Sequence, residues 1–375
     1  MSLSRYFISA RPSGSRTGRP PSPTRTQTDC PLKLIRDQGI VYGLTLLDFA
    51  SSFYLPSHSS SSTRIAIVAA LLALASPFGC RRAPLDTAHK PDSPSARKLR
   101  ADLALVPADA RIVLSLDLAR LRGAPLWKGL AKGPAKHLAP MLDDFARGTG
   151  IDLLGQARQI LVAVPGARQD DDRLVLIADL GTLDQARVAA WLRQRQNATT
   201  AAFVHGPGRI VIAKGAWAAA VTALARTTNP AQGAAGDPEL RGLCERAAGD
   251  HVFWLAAVVP APLRRVLIEQ VRFPDVASIA RLSGSVDLDG SLRAVAVAEL
   301  SNAADALGLA HRLSAFLNAA KRHPDMLAQG LAPYLEAVRF ATNGPRVQAT
   351  LELPAAQTDD LAPRIEALAR VAWTK

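Results

Sequence analysis

Two matching segments lie 120 residues apart in this chain: Arg173-Leu-Val-Leu-Ile-Ala-Asp-Leu-Gly-Thr-Leu-Asp-Gln-Ala186 and Arg293-Ala-Val-Ala-Val-Ala-Glu-Leu-Ser-Asn-Ala-Ala-Asp-Ala306. Each begins as a run of aliphatic and β-branched residues, which is typical of a strand, and continues as a helical pattern. We expect Thr182 to cap the first helix, and Ser301 or Asn302 to cap the second. The repeat predicts two related halves.

Both halves show the same order of patterns, namely strand, two helices, β-hairpin, helix, β-hairpin and helix. Gly206-Pro-Gly208, Asp289-Gly290 and Asn343-Gly344 stand between apolar runs, as hairpin turns do, and hairpins imply antiparallel pairing. We therefore predict an α+β protein whose halves, 103–228 and 238–375, each contain antiparallel hairpins with helices packed on the sheet. One merged sheet and two separate sheets are both compatible with this pattern.

The boundaries of the individual elements follow from the same patterns. The predicted strands are 111–117, 159–165, 173–180, 201–206, 209–214, 250–258, 281–288, 291–299, 337–342 and 345–353. The predicted helices are 124–132, 136–148, 183–196, 216–227, 302–321 and 358–373.

The net charge of +13 is concentrated near the N-terminus. Residues 1–64 carry +5 and residues 80–100 carry +4, which leaves only +4 for the rest of the chain. No run of Lys and Arg and no basic stripe interleaved with aromatic residues occurs in the predicted fold. Because a phosphate backbone requires such a surface, we expect no nucleic-acid partner.

Three segments precede the predicted fold. Residues 1–64 are rich in Arg, Ser and Pro, a composition typical of disorder, and a signal normally begins its chain, so we also consider that they are not translated. Residues 65–80 contain an uninterrupted apolar run of the length found in secretory signals or membrane anchors. Residues 81–102, with several prolines and mixed charge, are interpreted as a linker.

The end of the apolar run resembles the signal of bacterial lipoproteins, because Gly79 and Cys80 closely follow it. In that family the cysteine becomes the lipidated first residue, which here would be Cys80. A plain cleaved signal and an uncleaved anchor remain alternatives, whereas a buried core helix is disfavoured by the basic and proline-containing flanks.

A second resemblance covers Val106-Pro-Ala-Asp-Ala-Arg-Ile-Val-Leu-Ser-Leu-Asp-Leu-Ala-Arg-Leu-Arg-Gly-Ala-Pro-Leu-Trp127, which is similar to exported bacterial proteins of unknown function. It implies a periplasmic or surface location in a bacterial cell envelope. Anchoring to the membrane is expected separately, from the apolar segment 65–80. The resemblance does not indicate any particular enzymatic activity.

Chemical motifs are absent from the sequence. No HExxH, GxSxG or phosphate-binding loop occurs, and the His and Cys residues show no metal-ligand spacing, so we predict no catalytic residue, no cofactor and no metal. Cys244 lies in an apolar helical pattern and is interpreted as a core residue. The five Trp residues lie beside aliphatic neighbours and are interpreted as packing residues: Trp127, Trp191, Trp217, Trp254 and Trp373.

Acidic side chains at strand ends are the candidates if any position is functional: Asp117, Asp179 and Glu299. Helix capping is the simpler interpretation, above all for Asp117. The sequence thus favours a non-enzymatic, membrane-tethered envelope protein with a binding or structural role, for which the expected partner is an envelope protein or polymer. A carrier of a hydrophobic ligand, suggested by the aliphatic strands, and an unrecognised enzyme are the alternatives.

Overall fold

The computed structural model describes residues 93–124, 127, 135–166, 172–194, 196–227, 229–261, 264–265, 268, 274–328, 330–361 and 363–364. The strands are β1 (Ile112–Asp117), β2 (Gln159–Val164), β3 (Leu174–Asp179), β4 (Thr200–His205), β5 (Arg209–Lys214), β6 (Phe253–Val258), β7 (Ile279–Asp287), β8 (Leu292–Leu300), β9 (Arg339–Asn343) and β10 (Arg346–Leu353). The helices are α1 (Pro94–Leu103), α2 (Leu118–Gly123), α3 (Ala135–Thr149), α4 (Leu153–Gln156), α5 (Gln185–Arg193), α6 (Trp217–Leu224), α7 (Pro238–Ala247), α8 (Ala303–Lys321), α9 (Pro324–Ala328) and α10 (Ala332–Glu336). Residues 355–361 are also helical.

All ten strands form one antiparallel sheet in the order β4-β5-β3-β2-β1-β6-β7-β8-β10-β9. The α+β prediction is confirmed, and the two sheets merge because β1 pairs with β6, with Leu114 opposite Leu255. Outward from this central pair, the strand order on one side (β1-β2-β3-β5-β4) repeats on the other (β6-β7-β8-β10-β9). The origin of the two halves from a repeat stays a prediction.

Helices cover the two faces of the sheet unequally. On one face, apolar residues of β1, β2, β3, β5 and β6 pack against α1, α6 and α7 in a single core cluster. On the other face, β1, β2, β3 and β5 pack against α2, α3 and α5, while β8 and β10 pack against α8. Alternate residues of a strand point to opposite faces, so these clusters define which side chains share a side.

The first helix, α1, lies where the sequence predicted the end of a linker. Residues 94–102, assigned to a linker over 81–102, belong to α1, which Ser93 caps by accepting a hydrogen bond from Ala96. Leu99 is 6% exposed and Leu103 is fully buried within the core. The polar composition that suggested a linker is the outward side of an amphipathic helix.

One further helix start differs from its prediction. The helix after β3 is capped by Asp184 rather than Thr182, because the Asp184 carboxylate accepts from the Arg187 N–H. The prediction for the second half holds, since Asn302 caps α8. The helix predicted at 124–132 falls largely outside the described residues, and the helix α2 directly precedes that range.

A candidate binding face on the second half of the sheet

One face of β7, β8, β10 and β9 contains no buried side chain, and none of its residues belongs to a core cluster. The cross-strand registers place the following side chains together, and we call them the open face: Arg281, Ser283, Ser285, Asp287, Arg293, Val295, Val297, Glu299, Arg339, Ala341, Asn343, Arg346, Gln348, Thr350 and Glu352. The intervening residues of the same strands face α8 and the core. Antiparallel sheets tolerate one solvated face in this way.

A row of charged side chains crosses one end of the open face. Glu299 on β8 lies between two arginines, with one carboxylate oxygen 3.0 Å from Arg281 Nη1 and the other 3.0 Å from Arg346 Nη2. Arg281 also contacts Glu239 of α7 at 2.7 Å, and the hydrogen bonds that it donates to Glu299 and Glu239 raise its pKa. In this row Glu299 bridges two arginines, one through each carboxylate oxygen, and the pairing of three strands holds the ion pairs in place.

The opposite end of the open face is also charged. Arg293 Nε lies 3.3 Å from Glu352 Oε1, and Asp287 is the register partner of Arg293 on β7. His251, just before β6, contacts Asp287 with its Nδ1 at 2.9 Å from Oδ2. Between the two ends lie small or uncharged side chains, such as Val297, except for Arg339 at the β9 edge, and the open face therefore has charged borders and a largely neutral centre.

The first half of the sheet provides an internal comparison. On this side of the sheet, the third strand of each half carries two apolar residues. They are Val175 and Ile177 on β3, and Val295 and Val297 on β8. In the first half, their partners on β5 are apolar and are buried under α6, whereas their partners on β10 are polar. These partners are Val211 and Ala213 on β5, and Gln348 and Thr350 on β10. Among the described residues, the second half therefore shows neither a helix over this part of the sheet nor the apolar side chains that such a helix would bury.

A polar row also crosses the first half, but there α1 lies over it and the row is half-buried. Lys98 Nζ lies 2.9 Å from Asp179 Oδ2 and also donates to the Gln159 side chain. Arg209 Nη1 lies 3.2 Å from Oδ1 of Asp102, an ion pair without an aligned hydrogen bond, and Asp102 is only 3% exposed. These contacts attach α1 to the sheet.

Burial and neighbouring charges together shift the pKa values of the two carboxylates of this row in opposite directions. Burial raises the pKa of Asp102, and the nearby Arg209 and Lys98 only partly offset it. Burial also acts to raise the pKa of Asp179, but the hydrogen bond and charge of Lys98, with the Gly181 N–H and Arg209, outweigh it and lower the pKa. Asp179 is therefore a partnered structural carboxylate at neutral pH.

The three acidic candidates do not converge. Asp117 accepts a hydrogen bond from the Arg120 N–H and caps α2, as predicted. Asp117 and Asp179 lie at the same end of the sheet with Gln159 between them, whereas Glu299 lies at the opposite end in the other half.

The other residues singled out from the sequence lie in the core or outside the described residues. Cys244 is fully buried, and burial raises the pKa of its thiol, in agreement with its interpretation as a core residue. Trp217 and Trp254 are each 3% exposed, while Trp127 and Trp191 pack partly buried against a core cluster. Cys80 and Trp373 lie outside the described residues.

Potential metal ligands stay apart in the described residues, where no group of three gathers. Within the same stretches, none of the helices combines the length and the apolar character that crossing a membrane requires.

The sequence reasoning missed the arginine partners of Glu299 and the open face itself. A signal for the open face was present, because Arg281, Ser283, Ser285 and Asp287 alternate with other residues along β7. The first-half strands β2 and β3 are instead apolar at nearly every position, which is typical of strands covered on both sides.

Comparisons with known proteins give no evidence of function. No family model matches the chain, and no curated protein matches its sequence. A solved structure, "Structure of crystal form I of TP0453", is similar over 71% of this chain and 96% of that chain, with a TM-score of 0.36 and 11% identity. A likeness at this level carries no functional argument.

Proposed function

We propose that this chain is a non-enzymatic protein of the bacterial cell envelope, tethered to a membrane through its N-terminal segment with lipid on Cys80, and that it binds a protein partner on the open face. The observation that carries the binding proposal is the contrast between the halves. The same side of the sheet is apolar and buried under α6 in the first half, whereas in the second half its described side chains are mostly polar and none is buried.

The chemistry of the open face favours a protein over a polymer of sugars or nucleotides. It contains no aromatic side chain on which a ring could stack. Its charged rows pair internally, yet Arg281, Arg346 and Arg293 keep side-chain exposures of 39%, 40% and 46%. Arginine is enriched in protein interfaces, and such borders select a partner with complementary charges.

The size of the open face predicts a weak interaction. Four strands about 4.8 Å apart and about eight residues long, with a rise of about 3.4 Å per residue, present roughly 500 Å². A stable interface uses about 800 Å² on each partner. A membrane tether compensates for weak affinity, because it raises the effective concentration of a partner held at the same membrane.

The two alternatives receive no specific support from the described residues. The aliphatic strands that suggested a carrier pack against helices in core clusters. The carboxylates that would serve an enzyme cap a helix or pair with basic side chains.

Tethering is tested by mass spectrometry of the protein isolated from its own membranes. We expect a diacylated or triacylated N-terminal Cys80, and a Cys80→Ser variant that leaves the membrane fraction, while Cys30→Ser stays. An unmodified chain that retains residues 2–79 would refute tethering through Cys80.

Binding is tested by photo-cross-linking in cells, with a benzophenone side chain at Gln348. We expect an adduct with one envelope protein, which is reduced at least about fivefold by Val297→Asp or by Glu299→Lys, since these change the apolar centre and a charged border. The matched control is Leu307→Asp on α8, which should leave the adduct unchanged. An adduct insensitive to Val297→Asp would exclude the open face.

A further inference from the structure

Strand β9 forms one edge of the ten-stranded sheet and β4 forms the other. The two-residue turn after β9 makes Asn343 and Arg346 a hydrogen-bonded pair, so every second residue of β9 bonds to β10. The N–H and C=O groups of Phe340 and Thr342 therefore point away from the sheet. Across the described stretches, no hydrogen bond to these outward groups is found.

The opposite edge of the sheet, strand β4, is partly blocked by its own preceding segment. Thr200 on β4 exchanges backbone hydrogen bonds with Asn197 at 3.3 and 3.2 Å, and the Gln196 side chain donates to the Ala202 carbonyl. The segment before β4 therefore occupies the start of that edge. Such blocking is a common protection against edge pairing, and β9 shows no equivalent among the described residues.

We infer that two copies of this chain associate through antiparallel pairing of their β9 strands, which gives a continuous sheet across the dimer. A two-fold axis at Ala341 places this small side chain opposite its own copy. Phe340 then faces Thr342 of the second copy, an aromatic and β-branched pair of the kind that stabilises sheets. Arg339 faces Asn343 of the second copy, so no like charges meet across the axis.

A second observation comes from the helix that packs on β9. Leu307 of α8 is 51% exposed, and the neighbouring Ala303 and Ala304 on the same helix are also exposed. In a pair formed through β9, the two α8 helices lie on the same side of the joined sheet. Leu307 is thus an exposed apolar side chain on the helix that packs on β9.

The pairing also extends the open face. A two-fold axis perpendicular to the sheet keeps the two open faces on one side, which doubles their area to roughly 1,000 Å². The inference itself does not depend on what the open face binds.

The test is sedimentation of the purified full chain from about 1 to 100 μM. We expect a monomer–dimer equilibrium with a micromolar dissociation constant, since a short strand pair is a small interface. Thr342→Pro removes an outward N–H that β10 does not use, so it should weaken the dimer at least about tenfold without unfolding the chain. The matched control is Val204→Pro at an outward position of β4, which should leave the dimer constant unchanged.

A disulfide cross-link tests the register of the two β9 strands without using a proline substitution. Ala341→Cys should form a disulfide between two copies, detected by mass spectrometry as a linked pair of tryptic peptides 340–346, whereas Ala304→Cys should not form such a link. A chain that stays monomeric over the whole range, or a dimer equally sensitive to Val204→Pro and Thr342→Pro, would overturn the inference.

Discussion

Replacement of Leu99 by alanine is the most direct test of where the folded part begins. Leu99 lies in the range interpreted as a linker from the sequence, yet its side chain is 6% exposed and packs in the core cluster under the sheet. If residues 94–102 were a linker, the substitution would have almost no effect on the free energy of unfolding.

The expected cost follows from burial. A buried Leu→Ala substitution removes the transfer free energy of the deleted atoms and leaves a cavity, at about 2–5 kcal/mol. Leu99 lies on a helix at one border of the core, where the site can partly collapse, so we expect about 2–3 kcal/mol. That is a large fraction of the roughly 5–15 kcal/mol that stabilises a domain.

The assay is urea unfolding of the full chain, followed by the fluorescence of the buried Trp217 and Trp254. The control is Leu307→Ala, also on a helix but 51% exposed, which should cost less than about 1 kcal/mol. Equal effects of the two variants, or a loss below about 0.5 kcal/mol for Leu99→Ala, would refute the packing of α1 on the core.

Three further outcomes are expected. Asp179→Asn should lower the free energy of unfolding by about 1–2 kcal/mol at neutral pH. Because the pKa of Asp179 is lowered in the folded state, this difference from wild type should shrink as the pH falls below the ordinary aspartate range. A difference that stays constant in urea melts at several pH values would contradict this reasoning. Gly148→Ala should cost about 1–3 kcal/mol in thermal unfolding, since a Cβ there would lie 1.9 Å from the Trp191 ring, whereas Gly123→Ala, with open space around it, should be nearly neutral. Glu299→Gln should change the urea midpoint by less than the equivalent of about 1 kcal/mol, because its arginine partners are substantially exposed, and a larger loss would show that the row is a structural element.

Much of the local structure could be predicted from the sequence. Strand β5 begins and ends at the predicted residues, and the turns at Gly206-Pro-Gly208, Asp289-Gly290 and Asn343-Gly344 lie in the predicted hairpins. Local patterns suffice there, because backbone conformation at a turn and alternation along a strand depend on nearby residues.

The open face could be predicted from the sequence only in part. The alternation of polar residues on β7 and β10 indicates one solvated face, but the absence of a covering helix among the described residues depends on where α6 and α8 pack. The ion pairs of Glu299 join residues 18 and 47 positions apart, so their geometry follows from strand register rather than from spacing.

The sequence by itself determined the α+β class, the hairpins, a cap of α8 at Ser301 or Asn302 and the core position of Cys244, since propensity, periodicity and turn chemistry act over a few residues. Only the tertiary structure decided that β1 and β6 join the halves into one sheet, that α1 packs on it through Lys98, and that β9 is an edge of that sheet. These features depend on contacts between residues far apart in the chain, whose free energy appears only when the distant segments are brought together.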